Sequence, residues 1–278
     1  MTGAELVGRD IGPYRLERLL GEGALGLVFA AATRGDEQVA LKLLRPEHAA
    51  DSAALARFRR EAQVARGIDS RHVVPVVEVG QAEGLVFLEM PYYEGGSLAQ
   101  RLQEQGPLEV DETLDLAAGL GRGLDELHRR EVVHRDIKPS NVLFDYKGVA
   151  ALSDFGLARS PDSTRITAEG QIVGTPHYLA PELIEGWEAT VASDVYALGC
   201  VLYECLTGSP PFAGRGAAAI GFAHLTEEPP GPETLRPEIS AELAEAVLLA
   251  LEKDPASRPT SGTALARLLH VGRSASPV

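Results

Sequence analysis

Cysteine is nearly absent from this sequence. The 278 residues contain two, Cys200 and Cys205, both inside one apolar stretch, ALGCVLYECLTG. Two thiols cannot build a disulfide framework, and five residues apart on a helix they point in different directions, which argues against a metal pair. They read as buried core thiols. Long apolar runs are also missing: no stretch reaches membrane-spanning length, and MTGAELVGRD lacks the basic-then-apolar pattern of a signal segment. The expectation is a soluble, cytoplasmic protein. Positive charge is scarce, since 26 Lys+Arg against 40 Asp+Glu leave a formal charge of −14. That balance argues against a nucleic-acid partner, whose footprint is a basic patch. Lysine is confined to Lys42, Lys138, Lys147 and Lys253. A chain that otherwise uses arginine keeps a lysine where a compact point charge is needed rather than a planar fork, so these four positions come first in the search for chemistry. Fixed-period repeats and low-complexity segments are absent too, and the ends, residues 1–10 and the tail VGRSASPV at 271–278, are expected to be flexible.

The first third has strand texture. YRLERLL leads into a glycine-rich stretch, LVFAA follows it, and RGDE turns the chain into QVALKLL, where Val39, Leu41 and Leu43 alternate with other positions. VVPVVEVG and GLVFLEMPYY read as further strands. Between them DSAALARFRREAQVARG places Leu55, Phe58, Ala62 and Ala65 at helical spacing, with Asp51 or Ser52 as N-cap. After GGSL, Gly95–Leu98, the texture becomes helical. VDETLDLAAGLGRGLDELHRR is helical by pattern although Gly119, Gly121 and Gly123 each cost about 1 kcal/mol relative to alanine, so the pattern implies a close packing partner. SDVYALGCVLYECLTG is apolar nearly all round and reads as a buried helix, with AELAEAVLLALEKD and a short TSGTALARLL after it. Strands first and helices second give an α+β class with two lobes, about 10–93 and 94–270.

The loop GEGALG, Gly21–Gly26, fits G-x-G-x-x-G. A dinucleotide-binding fingerprint needs a helix after the glycines and an acidic residue about 20 positions further on. Here a strand follows, and the residue near that distance is Lys42. HRDIKPSN at 134–141 then matches H-R-D-x-x-x-x-N between apolar stretches, VV before and VLF after, which suggests a loop held between ordered strands. DFG follows at Asp154–Gly156 and APE at Ala180–Glu182. Four motifs in this order resemble the eukaryotic-like serine/threonine protein kinases of bacteria, over roughly residues 10–270.

The resemblance implies a bilobal protein-kinase-like fold, an antiparallel N-lobe sheet with one helix and a mainly helical C-lobe, and transfer of the γ-phosphoryl group of ATP with Mg²⁺, Mn²⁺ being possible. It implies that Gly21, Gly23 and Gly26 cover the phosphates while Val28 and Ala40 roof the adenine and Leu143 floors it. Lys42 would reach the α- and β-phosphates and pair with Glu61, which lies three residues from Phe58 and four from Ala65, at the edge of that helix's apolar stripe. Met90 resembles the gatekeeper. In the hinge, Pro91 offers only a carbonyl and Tyr93 supplies an N–H and a carbonyl. Asp136 would accept or orient the acceptor hydroxyl and Lys138 would neutralise the γ-phosphate, while Asn141 and Asp154 hold the metal. Local cations and a metal in a closed cleft outweigh a diffuse acidic surface that solvent screens. Lys147 and Lys253 match no catalytic position and read as solvated. Glu182 and Arg258 resemble a buried structural ion pair, Asp194 the aspartate that caps and braces the catalytic loop, and Trp187 a packing residue.

Arg135 before Asp136 implies control by phosphate on the activation segment, where Ser160, Ser163, Thr164 and Thr167 are the candidate acceptors, Thr167 first. Thr175 in GTP resembles the threonine that favours Ser/Thr acceptors. The implied partners are ATP and proteins bearing Ser or Thr hydroxyls, with no nucleic acid and no membrane segment. A pseudokinase scaffold and a small-molecule kinase remain as alternatives. The first usually loses Lys42, Asp136 or Asp154, all present here, and the second would not need Lys138 or the GTP…APE segment.

Overall fold

The structure is a computed structural model that describes residues 3–23, 26–45, 48, 55–56, 58, 62–63, 65–155 and 176–274. The chain forms two compact units, Met1–Gly95 with Asp145–Gly148, and Gly96–Phe144 with Val149–Val278.

The first unit is built on a six-stranded sheet. A short helix α1 (Gly3–Leu6) precedes β1 (Asp10–Ile11), β2 (Tyr14–Glu22), β3 (Gly26–Thr33), β4 (Gln38–Leu44), β5 (Glu78–Ala82) and β6 (Leu85–Pro91). The strands lie in the order β1-β2-β3-β4-β6-β5, every neighbouring pair antiparallel. Side chains alternate across a strand, and here alternation sorts them by task. Leu27, Phe29 and Ala31 of β3, Val39, Leu41 and Leu43 of β4, and Leu85 and Phe87 of β6 pack with Leu6, Ile11, Tyr14 and Leu16 into one core. The intervening positions face the other way. At the described positions of the expected helix, residues 55–56, 58, 62–63 and 65–66 are helical, and Phe58, Ala62 and Ala65 are buried.

Two expectations change in this unit. Residues 3–6 are not a flexible end: they form α1, and Leu6 joins the sheet core. VVPVVEVG is not a strand along its length. The strand itself starts at Glu78, beyond Pro75, which lacks the N–H a ladder needs, although Val73 makes a bridge and Val77 N donates to the Glu89 carbonyl at 2.8 Å.

In the second unit α2 (Leu98–Gln105), α3 (Val110–Arg129), β7 (Val142–Phe144), β8 (Ala150–Leu152), α4 (Pro181–Ile184), α5 (Val191–Thr207), α6 (Ala217–Thr226), α7 (Pro232–Leu235), α8 (Ala241–Ala250) and α9 (Gly262–Ser274) follow in order. The start of α2 is fixed by a capping box, in which Gln100 N donates to Ser97 Oγ at 3.2 Å and Ser97 N donates to Gln100 Oε1 at 2.9 Å. Helix α5 is buried nearly all round, Cys200 and Cys205 included. The partner implied by the α3 glycines is α9: a Cβ on Gly121 would sit 2.6 Å from the Gly262 carbonyl oxygen, so the backbones touch. Asp125 of α3 caps the same helix, its Oδ1 accepting from Gly262 N at 2.9 Å. The segment VV before the HRD loop forms no strand; VLF after it becomes β7, paired with β8. Helix α9 runs to Ser274, longer than expected and into the supposed tail, of which residues 275–278 lie outside the described residues. No helix among the described residues is long and apolar enough to cross a membrane.

Candidate active site

In the first unit the strand register brings the expected nucleotide residues onto one face. Val28 is paired with Lys42 and Lys42 with Leu88, while Ala40 is paired with both Ala30 and Met90. These positions share the face opposite the hydrophobic core, with Gly21 next to Val28 across β2 and β3. Lys42 is 7% exposed. Pro91 closes β6 opposite Val39. The Tyr93 hydroxyl is pushed above its ordinary range by burial and then by the Asp145 carboxylate.

The loop glycines differ in what they tolerate. A Cβ on Gly26 would lie 2.5 Å from the Leu43 carbonyl oxygen, so Gly26 is demanded by the approach of β3 to β4. Among the described residues, a Cβ at Gly21 meets nothing within 4 Å, and one at Gly23 meets the Gly26 carbonyl oxygen at 3.7 Å. Packing does not require glycine there. The open faces suit close approach of phosphate oxygens to backbone.

The second unit assembles the HRD loop around one buried carboxylate. Asp194, in the first turn of α5 and 1% exposed, accepts from His134 N (2.7 Å) and Arg135 N (2.9 Å). Its Oδ2 also meets His128 Nε2 at 2.7 Å. Arg135 takes a left-handed φ of 70°, a conformation that needs such outside support in a residue with a Cβ. Burial pushes the His134 imidazole below its ordinary pKa, against the pull of the Asp194, Asp136 and Asp154 charges. On this frame Lys138 Nζ donates to Asp136 Oδ2 at 2.7 Å, and Asn141 Nδ2 donates to the same oxygen at 3.0 Å and to the Asp136 carbonyl at 2.8 Å.

Ser153 ties the next candidate in. Its N and Oγ both donate to the Asn141 carbonyl, at 2.8 and 3.1 Å, which sets Asp154, at φ 60°, beside Asn141. With its Nδ2 engaged, Asn141 keeps Oδ1, and Asp154 brings carboxylate oxygens. This hard-oxygen donor set fits a magnesium-type ion. Leu143 lies on β7, opposite Ala151 and bridged to Ser97.

Glu182 and Arg258 form two parallel bonds, both 2.8 Å, with the arginine side chain fully buried. Burial raises the Glu182 pKa, but hydrogen bonds from Arg258 and Ser193 outweigh it and hold the carboxyl below its usual range. The remaining guanidinium donors reach the carbonyls of Ala192, Glu252 and Lys253. Beside the HRD loop lies a cavity of about 580 Å³, walled by Asp136, Lys138, Pro139, Tyr178, Leu179 and Glu204 among others.

Two site residues escape the sequence reading. His128, in the last turn of α3, braces Asp194; its signal is only a histidine six positions before His134. Tyr178 donates to Glu204 Oε2 at 2.6 Å on the cavity wall. Two readings are overturned. Lys253 is not solvated: its Nζ is buried above the Phe212 ring at 5.1 Å, and burial lowers its pKa. Trp187 is not packed, being 70% exposed. Glu61, Gly156, Ser160, Ser163, Thr164, Thr167 and Thr175 lie outside the described residues.

Comparison with known proteins places this geometry. Residues 14–269 match the protein kinase domain family. A serine/threonine-protein kinase PknA of Corynebacterium glutamicum is 40% identical over 94% of this chain and 56% of its own length. PknD of Mycobacterium tuberculosis is 39% identical over 95% of this chain and 40% of its own length, and PrkC of Bacillus subtilis 38% over 91% and 39%. The chain thus spans roughly half the length of such curated relatives, or less. Among solved structures, the kinase domain of M. tuberculosis PknI superposes with a TM-score of 0.72 at 29% identity, covering 96% of this chain and 98% of that one. With the HRD loop, the DFG aspartate and the lysine-bearing strand arranged on this fold, the chain belongs to the protein kinase domain family.

Proposed function

We propose that this chain transfers the γ-phosphoryl group of ATP to serine or threonine hydroxyls of proteins, in the cytoplasm where ATP is made. The observation that carries the reading is the Asp136 carboxylate, held against Lys138 and Asn141 on a loop that Asp194 fixes from below. Asp136 takes the acceptor hydroxyl as hydrogen-bond donor and receives its proton. Lys138 neutralises charge on the transferring group, and Lys42 neutralises the α- and β-phosphates. Gly21 and Gly23 cover the phosphates by backbone, Gly26 shapes the turn, and Val28, Ala40, Met90, Pro91, Tyr93 and Leu143 enclose the adenine. Asn141 and Asp154 hold Mg²⁺, or Mn²⁺ in its place, which supplies charge neutralisation at the phosphates. Catalysis by such a site is positioning and electrostatic stabilisation, with little covalent work for the protein. The cavity beside Asp136 receives the acceptor segment.

Radiolabel transfer from ATP to a generic basic protein tests this reading. Asp136→Asn is expected to lose roughly 10²–10⁴-fold in rate, the usual contribution of general-base catalysis; equal signal from both proteins overturns the assignment. Regulation is proposed to run through autophosphorylation at Thr167 or Thr164, with Ser163 and Ser160 as further acceptors. Phosphopeptide mapping after incubation with ATP and Mg²⁺ decides that, and absence of phosphate between 157 and 174 sinks it.

A further inference from the structure

Among the described residues, two contacts hold the glycine-rich loop. Its sequence GEGALG contains no aromatic residue, and Gly21 and Gly23 carry no side chains. The loop closes through Gly23 N donating to the Gly26 carbonyl at 2.8 Å. A second hold comes from another strand. Arg45, the residue after β4, donates from Nε to the Gly23 carbonyl at 3.2 Å, and its Nη2 lies 3.5 Å from Glu22 Oε2. The registers show what this spans. Glu22 of β2 pairs with Leu27 of β3, and Gly26 of β3 pairs with Leu44 of β4. The arginine therefore crosses the end of β3 and ties the end of β2 to the end of β4. By strand alternation it leaves the sheet on the side of Leu43, in the hydrophobic-core face, opposite Lys42.

We propose that Arg45 is a positioning residue for the nucleotide, fixing the Gly23 peptide from the back of the loop; this rests on the reading of the loop as an ATP phosphate cover. Two physical reasons carry it. A carbonyl engaged by a guanidinium cannot turn its negative end towards phosphate oxygens, which it would repel. Ordering a glycine-rich segment costs backbone entropy, and a contact present before binding removes part of that cost from the binding step. A bond to the carbonyl directs the loop more than the ion pair does, because Glu22 is half exposed and the pair is solvent-screened.

The test measures KM for ATP, kcat and melting temperature in wild type, Arg45→Met, Arg45→Lys and Glu22→Gln. Arg45→Met is expected to raise KM for ATP about five- to tenfold with kcat within about twofold and the melting temperature unchanged, the signature of lost ground-state binding. Lysine, which can still reach one carbonyl, restores part of the difference, and Glu22→Gln stays near wild type. Backbone amide exchange in residues 20–28 speeds up in Arg45→Met. An unchanged KM, or a KM rise matched by loss of melting temperature and not rescued by lysine, overturns the role of Arg45 while wild-type turnover still supports the kinase reading. A wild type that binds no ATP overturns both.

Discussion

The two units hold their candidate residues in opposite ways. In the first, candidates from three strands share one sheet face because alternation puts them there, and two of the loop glycines act by leaving space open. In the second, candidates eighteen residues apart in sequence converge because buried groups from distant segments hold backbone: Asp194 holds His134 and Arg135, Ser153 holds Asn141, and Arg258, paired with Glu182, holds the Ala192 carbonyl at the start of the helix that carries Asp194. A sheet face is a general surface that many sequences can supply. A loop with a left-handed arginine needs specific acceptors, so the candidate site of the second unit is coupled to its stability more tightly than the glycine-rich loop is in the first.

The largest expected effect tests that coupling directly. Glu182→Ala strands the fully buried Arg258 guanidinium, and removing one partner of a buried pair costs about 3–5 kcal/mol. Urea denaturation should show a loss of this size, with phosphoryl transfer falling alongside it. A variant that stays as stable as wild type would break the contrast.

Next come glycines demanded by packing. Gly121→Ala drives a methyl group into the Gly262 backbone of α9, and Gly26→Ala drives one into the Leu43 carbonyl of β4, with contacts of 2.6 and 2.5 Å. Overpacking of this kind costs about 1–3 kcal/mol. Denaturant midpoints should drop for both, which sharpens the comparison by showing where the first unit is also rigid.

Acidification probes the buried histidines of the second unit. His224, bonded to Tyr196 Oη at 2.7 Å, has its pKa pushed down to about 3 by burial, with the Lys253 and His177 charges adding to the effect. Its unfolded value is about 6.5. Between these values the unfolded chain binds the extra proton, so stability is full above 6.5 and falls as pH drops towards 3. The loss from this residue at pH 5.5 is about 1.4 kcal/mol. Comparing urea midpoints of wild type and His224→Gln at pH 7.5 and 5.5 isolates it, because shared groups cancel. The His134 shift has the same sign.

How much of this was legible in the sequence follows the same division. The sheet face could be read from alternation around Val39, Leu41 and Leu43, and the HRD and DFG segments from residue type and spacing. The α3 glycines announced a close neighbour without naming it, since Gly262 is far along the chain. What resisted reading depends on distant packing. His128 meets Asp194 across 66 positions, and Tyr178 meets Glu204 across 26. Lys253 looked like a surface charge because nothing nearby in sequence says that its chain end is roofed by Phe212. Trp187 misled in the other direction: a large apolar side chain suggests burial, yet single exposed aromatics are ordinary on folded surfaces.

The smallest effect on stability is the most telling about the first unit. Gly21 sits in β2 with nothing among the described residues within 4 Å of where a Cβ would be. Gly21→Ala should therefore change the unfolding free energy by less than about 0.5 kcal/mol, as surface changes do. If the open face is where phosphate oxygens approach the backbone, the methyl group is felt only when nucleotide binds. KM for ATP should then rise roughly tenfold, equivalent to about 1.4 kcal/mol, while KM for the protein acceptor stays put. Gly26→Ala gives the complementary pattern, with stability lost first. Should Gly21→Ala instead lose stability and keep its KM, the glycine would be serving the strand and not the ligand, and the two units would differ less than their geometry indicates.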